Sequence, residues 1–329
     1  MNPSRRTQIP DPMDILLNNW EIGTVEKVEP IASYWGKTRL FTASDGTNYI
    51  LKEKGDIPNA EREYHLLTRL SQMGAPVPVP LLTRDSTWFA RQDDSVFCLY
   101  LRLPGEVYND HYRGNALVRA LYLGRALGDL HTYLRKVDHL VPFRELHLVD
   151  QIETWALPRI LEGTDPAEFS VIEDTWRTVE DEIGPLYDLL PKHLIHRDPN
   201  PANFLFQNGH LTGILDFEMV VRGPRIFDLC YCGTSILVSA YPDSDKMQRW
   251  PGLFREMIKG YQETHPLTPA ERSALFGTLV MIELQFAAFS METGADGAAR
   301  CNLSLVRWLG QKRQQILVNR AQSLWNNSP

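Results

Sequence analysis

The sequence predicts an α+β chain of two lobes, a small β-rich lobe with one key helix followed by a larger, mostly helical lobe. Three observations carry that reading. Short β-patterned runs separated by turn residues fill residues 23–101. Apolar residues at helical spacing dominate after Pro104-Gly105. Inside the helical part, an H-R-D-x-x-x-x-N loop at His196 leads into two apolar runs joined by Asn208-Gly209, a hairpin signal.

Residues 23–31 alternate loosely as a first strand. Arg39-Leu40-Phe41-Thr42 reads as a second, and Tyr49-Ile50-Leu51-Lys52 returns from it across an Asp45-Gly46 turn. A helical pattern opens at Asn59 with Tyr64, Leu66, Leu67 and Leu70 on its apolar face. It closes at Gly74, where Pro76, Pro78 and Pro80 forbid continuation. Phe97-Cys98-Leu99-Tyr100-Leu101 is an apolar strand running into Pro104-Gly105. The expected hinge therefore lies at about 99–105, between a lobe of residues 1–102 and one of residues 103–329. Beyond it, Leu117, Ala120, Leu123, Leu127, Leu130 and Leu134 recur at helical spacing. Thr268-Pro269-Ala270-Glu271 has the form of a capping box with proline at the first helical position, opening an apolar helix through Phe289. A last helix is expected over 303–324.

The length of 329 residues allows ample core in each lobe. A composition 43% hydrophobic and 23% charged is that of a globular protein, not a disordered one. Against 34 Lys and Arg stand 41 Asp and Glu, so the net charge is −7, which argues against nucleic acid or an anionic membrane as partner. No run of eighteen apolar residues occurs, so no transmembrane helix is expected, and Met1 to Arg6 leads into no signal-peptide core. The four cysteines (Cys98, Cys230, Cys232, Cys301) lack metal-site spacing and are expected as free, mostly buried thiols. Together these features point to the cytoplasm; oligomeric state is left open.

The chemistry-bearing residues sit around the loop. Asp198 can accept the proton of an attacking hydroxyl. Asn203 and Asp216 offer an amide oxygen and a carboxylate, the hard donors that Mg²⁺ prefers. Phe204-Leu205-Phe206 and Leu211 to Leu215 read as the two strands of the hairpin, so its return is expected to bring Asn203 and Asp216 close together. Pro199 and Pro201 stiffen the loop between Asp198 and Asn203. This is the arrangement by which phosphoryl-transfer enzymes hold a hydroxyl, metal ions and a nucleoside triphosphate. A nucleotide-binding first lobe should then supply a strand lysine for the phosphates, Lys52, and a helix carboxylate to hold it, Glu63. Only Gly36 stands where a glycine-rich loop is usual, so backbone N–H groups or Ser33 are the candidates to cover the phosphates.

With these parts assembled, the chain resembles the aminoglycoside phosphotransferase and choline kinase superfamily, including its homoserine-kinase-like and spore-coat-like members, small-molecule kinases of the protein-kinase-like fold. His196 to Leu205 is similar to its H-x-D-x-x-x-x-N loop, and Ile214-Leu215-Asp216-Phe217-Glu218 to its I-D-F-E strand end. Gly223 to Leu229 is similar to its G-x-P-x-x-D-L element, and Leu123 to His131 to its L-G-x-x-L-G-x-L-H helix. Two departures stand out: Arg197 replaces a frequent glycine, and Gly223-Pro224-Arg225 lacks the acid often seen after that glycine. The resemblance implies a bilobal protein-kinase-like fold and ATP-dependent phosphorylation of a hydroxyl on a small molecule. The acceptor would be an amino alcohol, a homoserine-like amino acid, a sugar or an aminoglycoside. It implies Asp198 as base, Asn203 and Asp216 as Mg²⁺ ligands, Lys52 on phosphate, Glu63 on Lys52, and Asp228 as acceptor for the loop's N–H groups. In the helical lobe Asp110, His111, Asp243, Trp250, Tyr261 and Glu283 are candidates for the acceptor pocket. The alternative, a non-catalytic nucleotide-binding or structural protein on the same fold, is disfavoured by the intact Lys52, Asp198, Asn203 and Asp216.

Overall fold

The computed structural model describes residues 11–31, 38–92, 95–139 and 143–317. The chain divides into two compact units, Met1–Pro104 with Gly213–Glu218, and Gly105–Thr212 with Met219–Pro329.

The first unit opens with a helix the sequence reading did not foresee, α1 (Pro12–Asn19), in which Asp11 accepts from the Met13 N–H at 2.9 Å and Pro12 starts the first turn. The chain continues through β1 (Val25–Pro30), β2 (Thr38–Ala43) and β3 (Asn48–Lys54) to α2 (Ile57–Gln72), β4 (Ala90–Gln92) and β5 (Ser95–Leu101). The strands form one antiparallel sheet in the order β1-β2-β3-β5-β4, with Lys52 opposite Cys98. Gly46 takes the positive φ that the Asp45-Gly46 turn demands. Ile15, Leu16 and Trp20 pack with Phe41, Leu51, Phe97 and Leu99 as the core on one face. Helix α2 starts two residues before the expected Asn59, because Asp56 is the cap and accepts from the Asn59 N–H at 2.8 Å.

The second unit holds α3 (Ala116–Val137), then short helices α4 (Leu148–Gln151) and α5 (Leu157–Gly163) joined by a π-helical turn, then α6 (Pro166–Tyr187). Strands β6 (Lys192–Ile195), β7 (Phe204–Gln207), β8 (His210–Ile214) and β9 (Val221–Pro224) follow, β6 pairing with β9 and β7 with β8. The last residues of β8, from Gly213, pass to the first unit. Helices α7 (Ile226–Val238), α8 (Ser244–Gln262), α9 (Pro269–Glu292) and α10 (Asp296–Leu317) complete the fold. Asn208 and Gly209 both adopt positive φ, as a two-residue type I′ hairpin requires. Both bonds of the Thr268/Glu271 capping box are present. Helix α10 begins at Asp296, earlier than the expected 303; residues beyond 317 lie outside the described ones.

The L-G-x-x-L-G-x-L-H helix α3 meets α8 backbone to backbone. A Cβ on Gly124 of α3 would lie 1.9 Å from the Met257 carbonyl oxygen, and one on Gly260 of α8 would lie 2.2 Å from that of Leu121. Only glycine permits that approach. Helix α9 is long and apolar enough to cross a membrane by length and composition, although Glu283 interrupts its apolar run. Yet 78% of its most apolar stretch is buried against protein, the pattern of a core helix. Of the four free cysteines, Cys98, Cys230 and Cys232 are buried and Cys301 is half-buried.

Candidate active site

In the second unit, β6 delivers the chain into the His196-Arg197-Asp198 loop, and one buried carboxylate holds that loop. Asp228, at the start of α7, accepts from the His196 N–H at 2.7 Å and from the Arg197 N–H at 2.9 Å. It is fully buried, and its Oδ2 is also 3.0 Å from His131 Nε2; the other His131 nitrogen meets the Tyr261 hydroxyl at 2.7 Å. The ring and the N–H groups satisfy a charge that burial would otherwise disfavour. The expected role of Asp228 is what the geometry shows, and His131 of the L-G-x-x-L-G-x-L-H helix braces it. His196 is fully buried.

Arg197 has φ of +65° and Asp216 has φ of +68°. An L-residue is strained there by about 1–2 kcal/mol, which explains why glycine is frequent at the position Arg197 occupies. Arg225, the other departure, is tied down in a different way. Its guanidinium donates to both Glu271 oxygens at 2.7 and 2.8 Å and to the Pro266 carbonyl at 2.9 Å, joining the start of α7 to the capped end of α9.

Asp198 is engaged at both oxygens. Oδ1 accepts from the Tyr231 hydroxyl at 2.5 Å, and Oδ2 lies 3.3 Å from Asn203 Nδ2. The same amide nitrogen donates to the Asp198 carbonyl at 2.8 Å. Asn203 ends a 3₁₀ turn (Pro201–Asn203) and leads straight into β7. With its nitrogen turned to Asp198, its oxygen is the end left for a cation.

The first unit carries a second cluster, and here the expected pairing is corrected. Glu63 holds Lys54, not Lys52. Lys54 Nζ donates to Glu63 Oε2 and Glu218 Oε1, each at 2.6 Å, with the Lys54 side chain 3% exposed. Lys52 points to the same face of β3 two residues earlier, is 26% exposed, and meets Asp216 Oδ1 at 3.2 Å. Glu63 thus pairs with the buried lysine and Asp216 with the more exposed one. Burial alone pulls the Lys54 ammonium down, but the Glu63 and Glu218 carboxylates outweigh it and the net shift is upward. Burial pushes the Glu63 carboxyl up against the pull of Lys54. We take Lys54 as charged, since two carboxylates converge on it. Which lysine Glu63 chooses depends on how α2 lies on the sheet, and strand alternation does not distinguish residues 52 and 54. Ser33 lies outside the described residues, as does Gly36.

Four of the acceptor-pocket candidates hold local structure: Tyr261 braces His131, and three more have other tasks. Trp250 is buried and donates to the Gly233 carbonyl at 2.8 Å, Asp243 caps α8, and Asp110 accepts from the Tyr112 N–H at 2.8 Å. Glu283 is buried in α9 with neither oxygen hydrogen-bonded among the described residues, and burial pushes its carboxyl well up. An open cavity of about 440 Å³ in the second unit, bordered by Tyr108, Arg119, Tyr122 and Asn208, contains none of the predicted site residues.

The family model described as "Phosphotransferase enzyme family" matches residues 27–279. The chain belongs to that family. As a member, it is a kinase that phosphorylates a hydroxyl of a small molecule. A homoserine kinase of Gluconobacter oxydans (strain 621H) is 24% identical over 274 residues, 80% of this chain and 81% of the relative. An aminoglycoside phosphotransferase structure from Alicyclobacillus acidocaldarius superposes with a TM-score of 0.71 at 15% identity, covering 97% of this chain and 98% of that one. The amicoumacin kinase hAmiN, solved with AMP-PNP, Ca²⁺ and Ami, gives 0.64 at 16% identity over 87% and 90%. These likenesses bear out the bilobal protein-kinase-like class.

Proposed function

We propose that this phosphotransferase moves the γ-phosphoryl group of ATP, with Mg²⁺, onto the hydroxyl of a small amino-bearing acceptor. A homoserine-like amino acid or an amino alcohol is favoured, with sugars and aminoglycosides as the wider class. The homoserine kinase relative supports the first of these, and the nucleotide and Ca²⁺ held by the amicoumacin kinase support nucleotide and divalent-metal use.

The grip of Asp228 on the His196 and Arg197 N–H groups carries the proposal. It makes the loop rigid, so that Asp198 is presented in one orientation. In the reaction the acceptor oxygen bonds to the γ-phosphorus while that phosphorus parts from the β–γ bridging oxygen. ADP leaves, and the hydroxyl proton passes to the Asp198 carboxylate. Lys52 serves the phosphates, and Lys54 serves as the lock on Glu63 and Glu218. Asn203 and Asp216 would hold Mg²⁺, whose contribution is to neutralise phosphate charge. The donor set fits: an amide oxygen and a carboxylate are hard ligands. Among the described residues, no group of three or more His, Cys, Asp or Glu could hold a metal, as suits an ion completed by phosphate oxygens and water.

A coupled ADP-release assay on homoserine, an aminopropanol, a hexose and an aminoglycoside tests this. Acceptor-dependent, Mg²⁺-dependent release is expected. A nucleotide-dependent melting shift with no turnover on any acceptor would favour the non-catalytic alternative.

A further inference from the structure

We infer that Tyr231 is a positioning residue for Asp198, holding one carboxylate oxygen so that the other faces the acceptor hydroxyl; this rests on the reading of Asp198 as the base. Tyr231 follows Asp228 by three residues in α7, so both side chains project from the same helix face. That face touches the loop twice. Asp228 takes its backbone N–H groups, and Tyr231 takes its functional carboxylate at 2.5 Å. A single helix therefore sets both the path of the loop and the rotation of the Asp198 side chain.

The tyrosine is itself well fixed. It is 8% exposed, and its ring lies edge-on to Phe286 of α9 at 5.3 Å between centroids and tilted against Phe227 at 5.9 Å. Burial first, then the Asp198 charge, push the hydroxyl's pKa far up, so Tyr231 stays protonated and can only donate in this bond. The second oxygen of Asp198 lies 3.3 Å from Asn203 Nδ2, a longer contact than the tyrosine's. A buried hydroxyl would otherwise need a partner of its own. Here the partner is the catalytic group, so the same bond satisfies the phenol and orients the base.

Two readouts test this on the full chain. In protein labelled at tyrosine ¹³Cζ, the Tyr231 resonance is assigned by its loss in Tyr231→Phe, with Tyr231→Leu giving the same assignment should the first variant not fold. Replacing the carboxylate by Asp198→Asn should shift that resonance in the unliganded protein; a resonance that stays in place overturns the inference whether or not any acceptor is phosphorylated. In turnover, Tyr231→Phe should lower kcat about tenfold, the worth of one hydrogen bond to a charged group. The KM for nucleotide should be unchanged, and the loss should vanish in an Asp198→Asn background. Wild-type kcat in Tyr231→Phe would also overturn it. Absence of turnover in the wild type on every acceptor would instead refute the kinase reading and leave the resonance to decide the role of Tyr231.

Discussion

In the His196–Asp198 loop a buried aspartate takes two backbone N–H groups and a histidine, and the Asp198 carboxylate, the proposed base, is left partly accessible. In the lysine cluster a buried ammonium draws two carboxylates onto itself, one buried in α2 and one 40% exposed beside Phe217. The first arrangement fixes backbone through a buried side chain. The second uses its side chains to hold elements together, with Lys52, two residues away, more exposed and proposed to serve the phosphates. A charge near the site can therefore serve either geometry or reaction, and burial with its partners helps to distinguish them. Damage to the two regions should accordingly appear in different measurements.

The largest effect is expected at the loop. Asp198→Asn keeps the shape and removes the proton acceptor, so kcat should fall by about 10²–10⁴ with nucleotide affinity nearly intact. An unchanged rate on a true acceptor would remove Asp198 from the chemistry.

Lys54→Met should act on the fold instead. It leaves Glu63 buried beside Glu218 with no cation between them, a loss of about 3 kcal/mol in denaturant unfolding. Adding Glu63→Gln should recover part of it, because an amide needs no counter-charge. A melting curve indistinguishable from the wild type in the single variant would contradict the lock.

Metal removal probes both regions together. Nucleotide at about 100 times its Kd stabilises by roughly 2.7 kcal/mol, and chelation should cancel much of the resulting melting shift. Asp216→Ala should abolish the metal-dependent part. Equal shifts with and without chelator would refute the assignment of Asn203 and Asp216.

The smallest effect distinguishes the lysines. Lys52→Ala should raise the KM for nucleotide by roughly tenfold, consistent with one charge-assisted contact, while leaving the unfolding midpoint close to the wild type. If Lys54→Met alters the nucleotide KM and Lys52→Ala does not, the roles assigned here are reversed.

Local chemistry was legible along the chain. The Asn208-Gly209 turn, the Thr268 capping box, the proline-stiffened loop from Asp198 to Asn203 and the Gly74 helix end each depend on backbone preferences of neighbouring residues, which a sequence displays directly. So the α+β class and the hairpin could be read without coordinates, and Asp198, Asn203 and Asp216 could be named as candidates. Helix α1 was missed because eight residues offer too little periodicity. The start of α2 was misplaced because Asn59 looks like a cap while Asp56 does the capping.

What only the tertiary structure decided were the pairings between distant side chains. Tyr231 reaches Asp198 across 33 residues, His131 reaches Asp228 across 97, and Lys54 reaches Glu218 across 164. A strand presents Lys52 and Lys54 to the same side, so alternation treats them as equals. The depth at which α2 buries Glu63 selects between them. By itself the sequence determined the reaction class and supplied the candidate residues proposed for it, because spacing within one loop is a local property. The packing of helices and strands determined which side chains hold those residues, because burial and partner distance do not exist until the chain has folded.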